Sequence, residues 1–409
     1  MRCAQALPFE GIDPPATMEV PDRPAPFLHE SDLHRAPVLD CDAPCPPMQE
    51  ALQLAALAIG LCEPNPRVGC VIVGAGDRVL GRGHTQQAGG AHAEVMALRD
   101  AAARGENVEG ASAYVTLEPC AHHGRTPPCS EALVAARLGR VVMAIEDPNP
   151  LVAGGGAAQL RAAGSAVETG PCAEAARELN IGFFSRMRRG RPWVRLKAAM
   201  SLDGRTALAD GTSQWITGEP ARTDGHAWRK RAGAVLTGVG TVLDDDPRLD
   251  VRFVPTAHQP LRVVIDSRLD MPLEARILQA PGRVLVYAAE PTDARRRAFE
   301  TARIEVVRRP ASTGKVDLAA VLADLAAQHG VNELHVEAGH KLNGSFVREG
   351  LVDELLIYVA PRLIGAGREL AAFGPLASLD DAVGLRYTAA DRIGDDLRIV
   401  ARRTDPASF

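Results

Sequence analysis

Residues 116–129 read Thr-Leu-Glu-Pro-Cys-Ala-His-His-Gly-Arg-Thr-Pro-Pro-Cys, and His92-Ala93-Glu94 stands upstream of them. The upstream tripeptide opens a predicted helix, and the longer stretch follows a predicted strand. Zinc prefers nitrogen and sulfur ligands, and a catalytic zinc site leaves one of its four positions to water. The pattern therefore predicts a catalytic zinc site that includes His92 and Cys120.

The third zinc ligand has more than one candidate in the sequence. In the general deaminase signature, His-x-Glu is followed by Pro-Cys-x-x-Cys. Here Cys129 comes nine residues after Cys120, and His122 and His123 lie between them. From the spacing alone, either histidine is an alternative ligand to Cys129.

Glu94 is the predicted catalytic residue. It follows His92 by two positions, so we expect its carboxylate to face the open zinc position. There it can take a proton from water and deliver it to a leaving amine. This arrangement favours hydrolytic deamination over a structural zinc site, which would fill its fourth position with a protein ligand.

Composition limits the other functional classes. A chain of 409 residues suggests two or three domains, and its net charge of -5 and 4% aromatic content do not suit a nucleic-acid editor. The longest apolar stretch, Leu52–Cys62, is shorter than the roughly 20 residues that a membrane helix needs. We therefore expect a soluble cytoplasmic protein. Its eight cysteines predict free thiols and a metal site, with Cys62 and Cys172 as ordinary buried thiols.

The chain divides into three predicted segments. Residues 1–47 hold ten of the thirty prolines and are predicted to be a disordered extension, with Met48 as an alternative start. Residues 48–190 alternate helices and strands as an α/β sandwich, and residues 191–409 form a second α/β domain. The predicted strands are Val68–Val73, Ala113–Thr116, Arg140–Ala144, Trp193–Lys197, Ala234–Val239, Leu261–Ile265, Arg283–Tyr287, Glu333–Val336 and Leu355–Ala360. The predicted helices are Met48 to about Gly60, His92–Ala103, Ser130–Arg137 and Ala173–Met187.

Several motifs together resemble one known family. They are Pro64–Val73, His92–Glu94, Thr116–Cys129 and Asp147–Pro150 in the first half, and Ala198–Ala207, Ser213–Thr217, Thr241–Pro247, Ile265–Ser267 and Val336–Gly339 in the second. From about Met48 to the C-terminus, the chain is similar to the bifunctional deaminase/reductase of riboflavin biosynthesis. The resemblance implies a cytidine-deaminase-like α/β/α sandwich followed by a dihydrofolate-reductase-like α/β domain. It also implies His92, Cys120 and Cys129 as the zinc ligands, with Glu94 as the proton shuttle.

The same resemblance implies the residues of the reductase half. Those expected around NADPH are Ala199, Trp215, Thr241, Asp245, Ser267, Gly339, His340, Lys341, Leu342, Asn343, Gly344 and Ser345. Those expected around the substrate are Ser213, Arg229, Leu249, Arg252 and Glu337. A planar guanidinium suits a phosphate monoester, so Arg229 and Arg252 are predicted phosphate ligands. Asp203 is either an acid or water-orienting group or a turn former before Gly204.

The implied function is two consecutive reactions on a small molecule. A zinc-dependent deamination of 2,5-diamino-6-(ribosylamino)pyrimidin-4-one 5'-phosphate is followed by reduction of its ribosyl group to a ribityl chain. One zinc per deaminase domain, NADPH and a homo-oligomer built through the second domains are part of this expectation. The sequence itself leaves open the preference for NADPH over NADH. Because no ligand is missing in the first half and no gap is obvious in the second, we expect both halves to be active rather than one alone.

Overall fold

The computed structural model describes residues 41, 45–122, 127–150, 152–301 and 303–404. Most of the predicted extension over residues 1–47 lies outside these ranges. The helices are α1 (Pro46–Ala56), α2 (Ala93–Ala103), α3 (Cys129–Ala135), α4 (Gly155–Ala162), α5 (Ala173–Leu179), α6 (Ile181–Arg189), α7 (Glu219–Arg231), α8 (Val239–Asp245), α9 (Arg276–Gln279), α10 (Asp293–Phe299), α11 (Leu318–Ala327) and α12 (His340–Arg348). No helix in these ranges is both long and apolar enough to cross a membrane.

Two large sheets carry the two halves of the chain. The strands are β1 (Gly69–Val73), β2 (Val79–His84), β3 (Ser112–Val115), β4 (Arg140–Met143), β5 (Ala166–Thr169), β6 (Trp193–Ser201), β7 (Ala207–Leu208), β8 (Ala234–Gly238), β9 (Leu261–Ile265), β10 (Val284–Ala288), β11 (Ile304–Arg308), β12 (Glu333–Val336), β13 (Glu354–Ala360), β14 (Gly367–Arg368), β15 (Leu385–Ile393) and β16 (Asp396–Arg403). The first sheet has the order β2-β1-β3-β4-β5. The second has the order β11-β10-β9-β8-β12-β6-β13-β16-β15.

The first sheet places the start of α2 beside the predicted zinc motif. Strands β1 and β2 are antiparallel, whereas β3, β4 and β5 run parallel to one another. Helix α2 lies directly on β2 because two glycines leave room for its backbone. A Cβ atom at Gly83 would come within 2.2 Å of the carbonyl oxygen of Ala93, and one at Gly81 equally close to that of Ala97. These contacts fix His92 and Glu94 over the edge of the sheet.

The second sheet is parallel from β11 through β13 and ends in the antiparallel hairpin β15–β16. Its central strands are buried on both faces and are rich in Val, Leu and Ile, as expected for a parallel sheet covered by helices. One apolar cluster packs Val194, Leu236 and Leu334 under α11 and α12, and a second packs Val235 and Val264 on the other face.

All of the predicted strands form, with bounds shifted by at most one residue except in β6, which continues four residues beyond the predicted end to Ser201. The first helix ends at Ala56 rather than near Gly60, and it begins at Pro46, inside the segment predicted to be disordered. The helix predicted over Ala173–Met187 is two helices, because Asn180 leaves the helical backbone. Its side chain accepts a hydrogen bond from the backbone N–H of Arg67 and donates one to the Arg67 carbonyl, so a tertiary contact breaks the helix.

The prediction that Cys172 is a free thiol is wrong. Cys172 forms a disulfide with Cys41, 131 positions away in the sequence. Neither cysteine belongs to a spacing pattern in the sequence. Their pairing depends on the tertiary contact between residue 41 and the start of α5. Cys45, Cys62 and Cys70 are free.

A buried group of ion pairs joins the two halves of the chain. The Glu333 carboxylate, at the start of β12, binds Arg67 at 2.6 Å and both Arg195 and Arg231 at 2.9 Å. Arg67 also donates to the carbonyl oxygens of Leu179 and Arg231. Burial opposes ionisation of Glu333, but the three guanidinium groups hold its pKa well below the usual range. Arg67, part of the motif Pro64–Val73, therefore fixes the first domain to the second.

Candidate active sites

The three predicted zinc ligands lie together at the edge of the first sheet. Atoms from His92, Cys120 and Cys129 all lie within 4.8 Å of one another, and they form the candidate metal site among the described residues. The Nδ1 atom of His92 is 3.2 Å from the Sγ of Cys129 and 3.7 Å from that of Cys120. Tetrahedral ligands of zinc lie roughly 3.5 to 3.8 Å apart, given bonds of about 2.3 Å to sulfur and 2.0 Å to nitrogen. The donor set and its spacing therefore fit zinc.

Cys129, and not His122, belongs to the candidate donor set. The His122 side chain is exposed and is not part of the cluster. His123 lies outside the described residues. Cys129 begins α3, and its backbone N–H donates to the Sγ of Cys120 at 3.4 Å. The two thiols are coupled: hydrogen bonds from Cys129 and His92 lower the pKa of Cys120, and the contact with Cys120 together with burial raises the pKa of Cys129.

Glu118 and Ser130 hold the loop that carries Cys120. The Glu118 carboxylate accepts backbone N–H groups from Asp147 at 3.3 Å, Gly154 at 3.0 Å and Ala157 at 3.1 Å. The Ser130 hydroxyl donates to the Cys120 carbonyl oxygen at 2.9 Å. The motif residue Glu118 thus ties Asp147, Gly154 and the first turn of α4 to the segment that precedes Cys120.

Glu94 is buried beside the ligands, with 3% of its surface exposed. It lies in the first turn of α2, two residues after His92. Burial, reinforced by the charge of Cys120, raises the pKa of Glu94 to about 7. A carboxyl group with a pKa near neutrality can both accept and return a proton.

The second domain contains a cavity of about 1060 Å³ at the carboxyl ends of its parallel strands. Ligands bind at this edge in open α/β sheets. Ala199 of β6, Gly238 of β8 and Ile265 of β9 line the cavity, and the start of α12 closes one side. The volume exceeds the usual upper range for one drug-sized ligand, so it can hold a dinucleotide and a substrate together. Backbone N–H groups at the start of α12 are suited to the phosphates of NADPH.

Most residues predicted around the cofactor line this cavity. They are Ala199, Trp215, Thr241, Asp245, Gly339, His340, Lys341, Leu342 and Asn343. Ser267, Gly344 and Ser345 lie outside the lining. A Cβ atom at Gly344 would meet the Ala372 carbonyl oxygen at 2.1 Å, and the Ser345 hydroxyl donates back to the Lys341 carbonyl. Contact of these three with the cofactor stays a prediction.

All five predicted substrate residues, Ser213, Arg229, Leu249, Arg252 and Glu337, line the cavity. Arg229 donates through Nε and Nη2 to the Glu337 carboxylate, and through Nη1 to the carbonyl oxygen of Asp250 at 3.0 Å. Burial opposes ionisation of Glu337, but Arg229 and Lys197 hold its pKa well below the usual range. Three donor atoms of Arg229 are therefore directed to protein groups, and contact of Arg229 with the substrate phosphate stays a prediction.

Arg252 and Arg248 present positive charge from one loop. Both bind the Asp250 carboxylate, at 2.7 and 2.8 Å, and their side chains are 38% and 41% exposed. His226 accepts a hydrogen bond from the backbone N–H of Arg252 at 3.2 Å, and its ring packs at a tilt against that of Phe253. Burial, followed by the charges of Arg229 and Arg252, lowers the pKa of His226 to about 4. A neutral His226 therefore holds this loop at ordinary pH.

Sequence reasoning missed Lys197, His226 and Arg248 as residues of the cavity. Lys197 was assigned only to a strand, whereas the alternation Arg248-x-Asp250-x-Arg252 is a detectable sign of two guanidinium groups sharing a carboxylate.

Asp203 forms a turn: it accepts hydrogen bonds from the Ser201 hydroxyl at 2.5 Å and from the backbone N–H of Gly365 at 2.7 Å. It is not among the residues that line the cavity.

Comparison with protein families matches both halves of the chain. Residues 46–145 match a model described as the cytidine and deoxycytidylate deaminase zinc-binding region. Residues 192–399 match the RibD C-terminal domain.

Relatives and solved structures match nearly the whole chain. The riboflavin biosynthesis protein RibD of Escherichia coli is 44% identical over 363 residues, covering 86% of this chain and 96% of that protein. The Acinetobacter baumannii RibD structure, form 1, is 41% identical with a TM-score of 0.79, covering 88% and 98% of the two chains. A Thermotoga maritima diaminohydroxyphosphoribosylaminopyrimidine deaminase/5-amino-6-(5-phosphoribosylamino)uracil reductase is 30% identical with a TM-score of 0.79, covering 87% and 97%. The chain therefore belongs to the RibD family, the zinc- and NADPH-dependent bifunctional deaminases and reductases of riboflavin biosynthesis.

Proposed function

We propose that His92, Cys120, Cys129 and Glu94 carry the deaminase reaction of this chain, and that the large cavity of the second domain carries the reduction. The observation that supports this most strongly is the one-nitrogen, two-sulfur donor set with a buried carboxyl group beside it. A structural zinc site would use a fourth protein ligand, and the cluster among the described residues offers three.

In the deaminase site, the protein positions the zinc ligands and moves a proton. When bound, zinc activates a water molecule for attack on the amine-bearing ring carbon. Glu94 accepts a proton from that water and donates it to the leaving amine, which departs as ammonia. Glu118 keeps the Cys120 loop in place while this happens. The substrate is 2,5-diamino-6-(ribosylamino)pyrimidin-4-one 5'-phosphate, and the reaction converts its ring into a uracil.

In the reductase site, the protein orients the ribosyl group against the nicotinamide. NADPH supplies the hydride that converts the ribosyl group to a ribityl chain. Arg229 fixes the Glu337 carboxylate in the ionised form, so Glu337 is available to accept hydrogen bonds from the substrate. Arg252 binds the substrate phosphate with charge-assisted hydrogen bonds, while Asp250 holds its guanidinium in place.

We further propose that the protein works in the cytoplasm as a homo-oligomer built through the second domain. The hairpin β15–β16 ends the larger sheet, and apolar residues on it and just before it are exposed. Tyr387 is 75% exposed, and Leu379, Leu385 and Leu397 are also exposed. An unpaired edge strand with apolar side chains is a natural surface for association of identical chains. Sedimentation of a Tyr387→Asp variant tests this: we expect a smaller species, and an unchanged mass would contradict it.

Two variants test the assignment of the two sites. Glu94→Gln removes the proton carrier but not a zinc ligand, so we expect ammonia release to fall by about 10²- to 10⁴-fold with zinc content unchanged. Arg252→Ala should raise KM for the phosphorylated substrate in the NADPH assay and leave ammonia release intact. Glu109→Gln, whose side chain is 57% exposed, is the matched control. Full deamination by Glu94→Gln would refute the role of Glu94, and loss of both activities in Arg252→Ala would refute independent sites.

A further inference from the structure

The loop between β7 and α7 carries an exposed tryptophan at the large cavity. Residues 213–217 of this loop line the cavity, and Trp215 among them is 59% exposed. Indole is a large apolar ring, and tryptophans in folded proteins bury most of it on average. A ring that stays bare inside a ligand cavity is therefore available to a planar group of the ligand.

The loop is tied to the rest of the domain near Trp215. The Ser213 hydroxyl donates a hydrogen bond to the Asp245 carboxylate, at the end of α8, at 3.0 Å. The carbonyl oxygen of Trp215 accepts one from the Arg362 side chain at 3.2 Å. The backbone at Trp215 is therefore anchored, whereas the orientation of the ring depends on what packs against it.

Arg222, in the first turn of α7, packs against the Trp215 ring. The centre of its guanidinium group lies over the ring, 4.7 Å from the ring centre. Its Nη1 atom donates to the carbonyl oxygen of Thr217 at 2.8 Å. A guanidinium group is planar, and it is attracted to the face of an indole by the charge distribution of the ring. Arg222 thus covers one face of Trp215 and is itself held by the loop.

Arg222 differs in its partners from other arginines of the large cavity. Arg229, Arg252 and Arg368 each bind a carboxylate. For Arg222, the polar and ring contacts within the described residues are the Thr217 carbonyl oxygen and the Trp215 ring. The orientation of its guanidinium group is therefore set by this loop and not by an ion pair.

The position of Trp215 corresponds to the nicotinamide end of the cofactor. From β12, whose end leads to the phosphate-binding start of α12, the sheet continues to β8 and β9 on one side and to β6 and β13 on the other. Glu337, proposed above to bind the substrate, lies 3.7 Å from Lys197 of β6. The ring that donates hydride must therefore lie on the β6 side. Arg362, which binds the Trp215 backbone, follows β13 on this same side.

We propose that Arg222 is a positioning residue of the reductase site, which fixes the plane of the Trp215 indole so that its open face packs against the nicotinamide ring. This inference rests on the proposed function, in which NADPH binds in the large cavity. Because Arg222 acts through a flat contact with the indole, a positive charge alone does not replace it. Because Trp215 lies at the nicotinamide end, the effect is confined to that half of the cofactor.

Equilibrium binding of NADPH and of 2'-phospho-ADP-ribose, which lacks the nicotinamide ring, tests the proposal without turnover. Both ligands are titrated into the full chain by calorimetry. Arg222→Met keeps the length of the side chain, and Arg222→Lys keeps its charge. We expect both variants to bind NADPH about fivefold more weakly, with less than about a twofold change for 2'-phospho-ADP-ribose. Arg283→Met, at an exposed arginine outside the cavity, is the matched control and should bind both ligands as the wild type does.

Quenching of tryptophan fluorescence by acrylamide measures the covering of the indole directly. The chain has three tryptophans, and Trp215→Phe identifies the part of the fluorescence that belongs to Trp215. We expect acrylamide to quench this part more strongly in Arg222→Met than in the wild type, because the guanidinium group no longer covers the ring.

The outcomes separate the positioning role from its alternatives. Weaker binding of NADPH alone in both variants, with stronger quenching of Trp215, supports the proposal, and unchanged binding of 2'-phospho-ADP-ribose confirms that the second domain is folded. Equal losses for both ligands would assign Arg222 to a cofactor phosphate and overturn the positioning role. Wild-type affinity for NADPH in Arg222→Met or in Arg222→Lys would also overturn it. Failure of both ligands to bind the wild type would instead overturn the proposed NADPH site, and this inference with it.

Discussion

Replacing Glu333 with glutamine tests the ion pairs that join the two domains. The Glu333 carboxylate is fully buried and contacts three guanidinium groups, those of Arg67, Arg195 and Arg231, within 2.9 Å. A neutral amide leaves these buried cations without their shared counter-charge. Removing one partner of a buried ion pair costs about 3–5 kcal/mol, and we expect the Glu333→Gln variant to lose that much free energy of unfolding.

Urea unfolding followed by tryptophan fluorescence measures this loss. Trp228 is a suitable reporter because the Arg195 guanidinium lies 4.4 Å from the centre of its ring. The control is Glu305→Gln, which removes an exposed pair with Arg283 and should change the stability by less than about 0.5 kcal/mol. Adding Arg67→Met should recover part of the loss, because it removes one of the uncompensated charges. A loss below about 1 kcal/mol in Glu333→Gln would refute the reasoning.

Three further predictions concern the active sites. Cys129→Ser should lower the zinc content, measured by metal analysis, and abolish ammonia release while NADPH oxidation with the deaminated substrate persists; retention of one zinc per chain would contradict the ligand assignment. His226→Asn should make stability less dependent on pH. The pKa of His226 is lowered from 6.5 to about 4 in the folded protein, so as the pH falls the unfolded chain binds the proton first. The contribution of His226 to the free energy of unfolding is therefore complete above pH 6.5 and is lost as the pH falls toward 4. Between pH 7.5 and pH 5, urea unfolding should show the wild type losing about 2 kcal/mol more than the variant, and equal losses would count against it. Arg248→Ala should raise the reductase KM for the phosphorylated substrate, whereas an unchanged KM would exclude Arg248 from phosphate binding.

The sequence was sufficient to predict the features that depend on local patterns. Apolar runs bounded by Gly, Pro and Asp predicted the buried strands, and the His-x-Glu and Pro-Cys motifs predicted the candidate zinc donors that the structure brings together. The choice of Cys129 over His122 came only from the family resemblance and stays a prediction; in the structure α3 begins at Cys129, and its Sγ lies within 4.8 Å of the donor atoms of His92 and Cys120.

Features that depend on distant parts of the chain could not be predicted. Asn180 breaks a helical pattern through its contact with Arg67, more than a hundred positions away. The Cys41–Cys172 disulfide and the hydrogen bonds from Arg229 to the Glu337 carboxylate likewise arise from tertiary packing. An arginine near a phosphorylated substrate looks the same in sequence whether it binds the phosphate or a neighbouring carboxylate.

The most direct test of the two-site account is one time course with zinc-loaded wild-type protein, NADPH and 2,5-diamino-6-(ribosylamino)pyrimidin-4-one 5'-phosphate. Ammonia and NADPH are followed in the same sample. We predict that ammonia is released first and that NADPH oxidation follows with a lag, to one equivalent of each per substrate. NADPH oxidation that precedes ammonia release, or that proceeds without it, would contradict the account.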